Sequence, residues 1–274
     1  DRIEVYGGSE QGLCLGIYDF LAALGFSWPG PGREDAPRPS PADSPRYPLS
    51  RPWANGPLAK DPVELKRLVL PTGKPPGNWE ALLAWAIRNR FDALVLPLGF
   101  GNGPLAAFRG NERRVLEKLP RLCSDYGLTL EVGGWDLSLL VPRRYFMWNK
   151  ELFRMEAGRR VRDHQFCPTN PGAIRLIQEE AARYFRARPG VGIFHLWPDH
   201  GAEGAWCSCP TCRAFSREEQ NRIAVNAAAD VLAGIRPGAR LSYYEDSDIP
   251  SGINPRPNMF RLNQLTSCVT TLNR

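Results

Sequence analysis

The sequence lacks a long apolar run, a nucleic-acid-binding pattern and an even number of cysteines. No stretch approaches the 18 consecutive apolar residues of a membrane-spanning helix, and apolar strips such as 93–98 are too short, so we expect no membrane partner. The formal charge of +6 comes from scattered arginines without basic–aromatic alternation, so we expect no nucleic-acid partner. These arginines indicate a solvated face, with attraction to acidic sugars as the alternative.

Two further absences narrow the class of protein. The glycines Gly7, Gly8 and Gly12 miss the G-x-G-x-x-G spacing of a dinucleotide-binding turn, so nucleotide binding is not expected there. The chain opens at Asp1 without a basic-then-apolar leader, and the sequence therefore does not decide its compartment, secreted or periplasmic locations included. Neither does it decide the oligomeric state.

Hydrophobic periodicity alternates between helix and strand along most of the chain. Helical spacing covers 13–24, 79–87, 115–123, 174–185 and 223–231, and buried strands are predicted at 93–96, 128–132, 191–197, 240–244 and 259–262. Strands separated by helices predict a parallel sheet in an α/β architecture. The long connections from strands to the following helices favour a partial TIM-like (β/α) barrel of five or six strands. Closely spaced prolines at 29–57 indicate a linker, with a domain boundary near residue 50.

The stretch after the strand at 191–197 is the richest in catalytic residue types. Asp199 and Glu203 follow this strand in a glycine-punctuated loop, at the end where parallel α/β folds build active sites. A carboxyl group partly desolvated by a neighbouring tryptophan can hold a proton as a general acid. Alternatively, Asp199 caps a turn and Glu203 is solvated. Glu245, followed by Asp246 and Asp248, is the candidate second carboxylate.

Aromatic and histidine side chains near these loops are candidate substrate contacts. Trp135 and Trp197, like Trp148 and Trp206, can stack on sugar rings, although core packing explains aromatic residues more often. The candidate substrate-binding residues are His195, Trp197, Trp135 and His200. His195 lies in mid-strand, and a hydrogen-bonded core residue is the alternative there.

Three of the seven cysteines lie within six residues, a density that fits neither neat pairing nor a disulfide framework. Cys207, Cys209 and Cys212 offer soft thiolate ligands, and Cys209 and Cys212 have the C-x-x-C spacing of a zinc site. Cys167 precedes the helix at 174–185, in the loop expected to emerge beside theirs. The sequence therefore predicts a structural four-cysteine zinc site, with free thiols or one disulfide as the alternatives.

Three segments of the chain carry a family resemblance. The segment 16–28 resembles the end of the small N-terminal domain of α-glucuronidases, which are family 67 glycoside hydrolases. The segments 150–171 and 199–212 are similar to a bacterial family known as domain of unknown function 4838. This resemblance implies that 1–50 is the C-terminal part of a small α/β domain with its linker, and that 51–274 is an incomplete (β/α)-barrel glycosidase-like domain.

The resemblance also implies a carbohydrate substrate. The leading hypothesis is a glycoside hydrolase, α-glucuronidase-like, that acts on a polysaccharide or oligosaccharide through general acid/base carboxylates. A second carboxylate on a later strand would lie beyond this chain. The alternative is a non-catalytic carbohydrate-binding or scaffold protein with a structural zinc loop.

Overall fold

The computed structural model describes residues 4, 6–37, 65–70, 76–97, 111–135, 137–199, 206–245, 252–263 and 269–271. The chain forms five α-helices within these ranges: α1 (Glu10–Ala23), α2 (Trp79–Arg88), α3 (Asn111–Asp125), α4 (Pro171–Arg186) and α5 (Arg217–Ile235). All five coincide with the helical spacing found in the sequence. Within the same ranges, no helix is both long and apolar enough to cross a membrane.

A seven-stranded parallel sheet is the centre of the fold. Its strands are β3 (Arg67–Val69), β4 (Ala93–Leu96), β5 (Thr129–Gly134), β8 (Ile193–Leu196), β9 (Arg240–Tyr244), β10 (Met259–Leu262) and β11 (Val269–Thr271). The order across the sheet is β10-β9-β8-β5-β4-β3-β11. The α/β class and the parallel sheet are thereby confirmed. The sequence did not predict β3 and β11, which are only three residues long.

Local sequence signals determine where the helices α4 and α5 begin. The Asn170 side chain accepts hydrogen bonds from the backbone of Gly172 and Ala173, and Pro171 occupies the first turn of α4. Ser216 and Glu219 form the predicted capping box of α5. Both strand-to-helix loops therefore end at well-defined points.

The N-terminal segment packs on α2. It consists of α1 and an antiparallel hairpin of β1 (Ser27–Gly30) and β2 (Arg33–Asp35). The Trp28 carbonyl accepts hydrogen bonds from Trp85 Nε1 at 2.9 Å and Asn89 Nδ2 at 3.2 Å. The domain boundary predicted near residue 50 lies outside the described residues, and the division into two domains stays a prediction.

Side chains alternate strictly between the two faces of the sheet. Leu68, Leu94 and Phe194 belong to the large apolar cluster formed with the helices. Their neighbours point to the other face, where a second cluster joins Val69, Val95, Trp197, Tyr244, Phe260 and Leu262. This alternation is the period-2 pattern of a strand buried on both sides.

The sheet is strongly curved. The guanidinium of Arg67 on β3 lies 5.7 Å from the ring centroid of Phe260 on β10. In a flat sheet these strands, five spacings apart, would be separated by about 24 Å. Curvature of this kind makes the second apolar cluster an interior, and the architecture is consistent with a partial α/β barrel.

A buried polar network lies in this interior. Arg67 Nε donates to Glu131 Oε2 at 2.6 Å, and the same oxygen lies 2.7 Å from His195 Nε2. Ser242 Oγ lies 2.6 Å from His195 Nδ1 and accepts a hydrogen bond from Trp197 Nε1 at 2.8 Å. Because the indole only donates, the one hydroxyl proton of Ser242 is available to His195 Nδ1, and His195 Nε2–H then donates to Glu131.

The protonation states follow from burial and charge. Burial opposes the ionisation of Glu131, but the hydrogen bond from His195 and the charge and hydrogen bonds of Arg67 outweigh it and lower the pKa of Glu131. Burial also lowers the pKa of His195, which keeps the imidazole neutral near pH 7. The network is therefore an ion pair extended by a neutral histidine, serine and tryptophan.

We predict that R67M lowers the free energy of unfolding by about 3 kcal/mol or more, because it leaves the Glu131 carboxylate buried without its cation. Chemical denaturation followed by tryptophan fluorescence measures the change. The matched control is R256M, which breaks an ion pair with Asp230 whose side chains are 46% and 48% exposed and should cost less than about 1 kcal/mol. Equal losses in the two variants would contradict the structural role of the network.

Candidate functional site

Three aromatic side chains meet at the carboxyl ends of neighbouring strands. Trp135 follows β5, Trp197 follows β8, and Tyr244 ends β9. The ring of Trp135 lies 5.1 Å from that of Trp197 and 4.5 Å from that of Tyr244, measured between centroids. Trp197 is fully buried, whereas Trp135 is half-buried. The three rings therefore form an aromatic floor with Trp135 nearest the solvent.

Two glycines with positive φ end β5 next to these rings. Gly133 has φ of +112°, and a Cβ placed there would lie 1.9 Å from the His195 carbonyl oxygen. Gly134 has φ of +140°, a conformation that side chains rarely adopt, whereas a Cβ there would make only an ordinary contact with the Trp197 ring at 3.8 Å. The close packing of β5 against β8 therefore requires Gly133, and the backbone conformation requires Gly134.

Asp199 lies two residues beyond Trp197 and is half-buried. The segment that leads from β8 to Asp199 is hydrogen-bonded to the β5–α4 connection, because Leu137 N donates to the Trp197 carbonyl at 3.1 Å. Burial lowers the pKa of Arg143, which lies in that connection, and the negative charge of Asp199 acts in the opposite direction. The charge of Asp199 therefore favours the protonated form of Arg143.

The other predicted site residues have different surroundings. His195 and Trp197 have no exposed surface, and both belong to the interior network, which Trp197 connects to the aromatic floor. Glu245 is 4% exposed and is bound by both Nε and Nη2 of Arg222 on α5, at 2.8 and 2.6 Å. Burial raises the pKa of Glu245, and Arg222 opposes this shift. Glu203 and His200 lie outside the described residues.

The Glu245 carboxylate is directed toward the helix layer. Tyr244 belongs to the interior cluster, so its neighbour Glu245 occupies the opposite face, where Arg222 binds it. This arrangement explains the burial of both groups. Whether Glu245 takes part in catalysis stays a prediction.

Four cysteines come together as the sequence predicts. The Sγ atoms of Cys167, Cys207, Cys209 and Cys212 all lie within 4.8 Å of one another, and all four residues are buried. Cys167 Sγ lies 3.8 Å from Cys209 Sγ and 3.7 Å from Cys212 Sγ, far longer than a disulfide bond of about 2.05 Å. These four buried cysteines can bind a metal ion.

Polar groups around the cluster favour the thiolate form. Met155 N donates to Cys207 Sγ at 3.3 Å, and Arg160 Nη1 lies 3.7 Å from the same sulfur. Hydrogen bonds from the thiols of Cys207 and Cys212 lower the pKa of Cys167, and the same contacts raise the pKa of Cys207 and Cys212. The cluster therefore holds a thiolate near neutral pH, as a metal ligand requires.

Gln220 on α5 fixes the shape of the cysteine loop. Its Oε1 accepts a hydrogen bond from Cys207 N at 3.1 Å, and its Nε2 donates to the carbonyls of Cys207, Cys212 and Phe215. Ser208 donates its backbone N–H and its hydroxyl to the Met155 carbonyl, at 2.9 and 2.7 Å. The loop is thereby bound on one side by α5 and on the other by the hairpin of β6 (Met155–Glu156) and β7 (Arg159–Arg160).

Sequence reasoning missed several polar residues of this region. Arg67 and Glu131 interrupt otherwise apolar strands, and a charge within a buried strand is a signal that could have identified them. Ser242 has no such signal, since an isolated serine is common in strands. Arg143 is one of the scattered arginines expected on a solvated face, whereas the structure places it half-buried.

Comparisons with known proteins leave the family open. No protein-family model and no curated protein matches the chain. Among solved structures, the chain is similar to one of the tandem GH20 catalytic modules of the pneumococcal exo-β-D-N-acetylglucosaminidase StrH, with a TM-score of 0.47 and 9% identity over 73% of this chain and 59% of that chain. The chain thus spans less than two thirds of that chain. A likeness this weak decides neither fold nor activity.

We predict that the purified, reduced protein binds one metal ion per chain and that C209S loses it, since three thiolates and a hydroxyl form a much weaker site. Mass-spectrometric metal analysis after gel filtration measures the stoichiometry. C14S, which changes an exposed cysteine outside the cluster, is the control and should retain the metal. Metal-free parent protein, or equal content in C209S, would contradict the site.

Proposed function

We propose that the chain is a carbohydrate-active (β/α)-barrel domain, a glycoside hydrolase that binds sugar rings on Trp135 and uses Asp199 as its acid. The observation that carries the proposal is the aromatic floor of Trp135, Trp197 and Tyr244 at the carboxyl ends of parallel strands, with Asp199 two residues beyond Trp197 in the chain. This is the end of the strands at which barrel enzymes bind substrates. Sugar rings present C–H groups that pack on aromatic faces, and a nearby carboxyl group serves hydrolysis.

The interior network supports this role for Trp135 indirectly. Ser242 accepts the indole N–H of Trp197, so the buried ring is held in one orientation. Trp135 packs edge-on against it, with an interplanar angle of 65°. A pre-positioned aromatic ring loses little conformational freedom when a sugar binds, which favours affinity.

In this proposal Asp199 protonates the glycosidic oxygen, or activates water, in a partly desolvated position. Glu203, on the same loop, is the second candidate for that role, and His200 is a candidate substrate contact. We propose that the finer relationship is to the α-glucuronidase-like enzymes and to the bacterial family that the sequence resembles. Residues 1–50 would then belong to a small α/β domain and 51–274 to the barrel.

We propose zinc as the metal of the cysteine cluster. A zinc–sulfur bond of about 2.3 Å in a tetrahedron gives sulfur–sulfur separations of about 3.8 Å. The separations of 3.8 and 3.7 Å from Cys167 Sγ fit that geometry. Four thiolates fill a tetrahedral ion, so the zinc would hold the Asp199 loop in place and would not bind substrate.

A second candidate is a carbohydrate-binding protein without catalysis. Most glycoside hydrolases need two carboxyl groups, one of them free to act as nucleophile or base. Glu245, the candidate partner of Asp199, is instead bound by Arg222 in a buried ion pair. This observation favours binding without turnover.

We predict that the chain binds members of a panel of neutral and uronic-acid-containing plant and bacterial oligosaccharides. Calorimetry measures affinity, and release of reducing ends measures hydrolysis. W135A should weaken binding about tenfold or more, because one stacking face is lost. D199N should retain binding and lose hydrolysis by about 100-fold or more, because the amide cannot transfer the proton.

The control for D199N is D230N, which makes the same carboxyl-to-amide change on the outer helix α5 and should leave both readouts unchanged. Binding without hydrolysis in the parent would select the non-catalytic candidate. Binding to no oligosaccharide of the panel would refute the proposal.

A further inference from the structure

Met147 and Trp148 are neighbouring apolar side chains that lie in water. Their exposed fractions are 72% and 78%, and both belong to the connection from β5 to α4. Among the tryptophans that the structure describes, Trp148 alone is exposed, whereas the others are buried or half-buried. An indole offers the largest aromatic contact surface of any side chain, so its exposure makes Trp148 a candidate ligand contact.

The backbone beneath these two side chains is well defined. A 3-10 helix covers Arg143–Met147, and Trp148 N donates to the Tyr145 carbonyl at 3.1 Å. Tyr145 and Phe146 pack against the large apolar cluster, and the Phe146 ring centroid lies 5.2 Å from that of Phe153. The segment is therefore anchored by its inward side chains, and the two exposed ones project from a fixed base.

Two exposed cations flank the apolar pair. The Arg144 guanidinium lies 5.2 Å from the Tyr145 ring centroid, and Lys150 Nζ lies 5.8 Å from that of Phe146. Cation–π contacts at these distances limit the movement of each cation. At 2 Å per residue, the segment 144–150 spans about 12 Å. One small surface, the Trp148 patch, thus consists of Arg144, Met147, Trp148 and Lys150.

The positive charge of the patch is not neutralised by the protein. The segment 143–164 contains seven lysine and arginine side chains and three acidic ones, so it carries a net charge of +4 out of the +6 of the whole chain. Ion pairs with two largely buried arginines occupy the three acids, Glu151, Glu156 and Asp163. Within the described ranges, neither Arg144 nor Lys150 forms an ion pair. Both cations are therefore available to an anionic ligand.

We propose that the Trp148 patch is a surface site for an anionic polysaccharide, whose sugar rings stack on Trp148 and whose carboxylates bind Arg144 and Lys150. This inference rests on the proposed function and adds a binding surface outside the aromatic floor. Sugar C–H groups pack on an indole face, and carboxylates form charge-assisted hydrogen bonds with guanidinium and ammonium groups. Trp135 belongs to the same connection, which leaves β5 at the end where barrel enzymes bind substrates.

Two other kinds of partner fit the patch less well. A stable protein interface buries about 800 Å² on each partner, around a centre depleted of charge. The patch has two apolar side chains between two cations, which is too small and too charged for such a centre. An anionic membrane also attracts cations, but peripheral binding normally uses the wide apolar face of an amphipathic helix.

The test is surface plasmon resonance on immobilised polygalacturonate and alginate, each paired with its uncharged ester. We expect W148A to bind the anionic polymers about fivefold more weakly or worse, because the stacking face is lost. R144Q/K150Q should also bind more weakly and with a smaller dependence on salt, because the screened charges are removed. The thermal midpoints should stay the same, since all three side chains are exposed.

Two control variants make comparable changes elsewhere on the surface. Y6A removes another exposed aromatic ring, which belongs to the N-terminal segment. R175Q/R186Q removes two exposed cations from α4 and leaves the same net charge as R144Q/K150Q. Neither control should change the affinity. Equal losses in the two double variants would show general charge attraction and would overturn the site.

Four further results would overturn the patch. They are unchanged affinity in W148A, binding of the esters as tight as that of the acids, a parent that binds neither polymer, and a parent that prefers phosphatidylserine vesicles or single-stranded DNA. A lowered thermal midpoint in W148A would show a packing role and would overturn it too.

The neutral oligosaccharides of the panel test the proposed function separately. W148A should bind them like the parent, whereas W135A should bind them more weakly. A parent that binds these oligosaccharides but neither anionic polymer would refute the patch and leave the proposed function intact. A parent that binds the polymers through Trp148 but no oligosaccharide of the panel would support the patch and refute the proposed function.

Discussion

The approach of four sulfur atoms to within 4.8 Å of one another is the constraint on which the candidate site depends. Cys167 belongs to the connection between β5 and α4, and the other three cysteines belong to the connection between β8 and α5. The first connection also contains Trp135, the candidate sugar contact, and the second contains Asp199. The cluster therefore joins the two loops that carry the candidate sugar contacts and the candidate acid.

The curved sheet provides the rigid base for these loops. Its interior contains an ion pair of Arg67 with Glu131, extended through His195 and Ser242 to the indole of Trp197. Each hydrogen bond of this network has a consistent donor and acceptor, so the buried charges are compensated. A network of this kind specifies the position of Trp197, and through it the position of Trp135.

The sequence predicts the fold well wherever a pattern is local. All five helices, the caps at Asn170 and Ser216, and the strands at 93–96, 240–244 and 259–262 are present as expected. The strands β3 and β11 are too short for periodicity to reveal them. The cysteine cluster was predictable because the ligand spacing of three members is local and Cys167 follows from the parallel topology.

The polar contacts were not predictable, because they join residues far apart in sequence. Glu131 and Arg67 are 64 positions apart, and Arg222 reaches Glu245 across 23. Sequence alone therefore offered Glu245 as a candidate second carboxylate, and only the structure reveals that Arg222 binds it.

The most direct test of the proposed zinc site is X-ray absorption at the zinc K edge on the purified, reduced chain. The proposal predicts a coordination shell of four sulfur atoms at about 2.3 Å, because Cys167, Cys207, Cys209 and Cys212 would supply all the ligands. A shell with nitrogen or oxygen scatterers, or a protein without zinc, would contradict the four-thiolate centre.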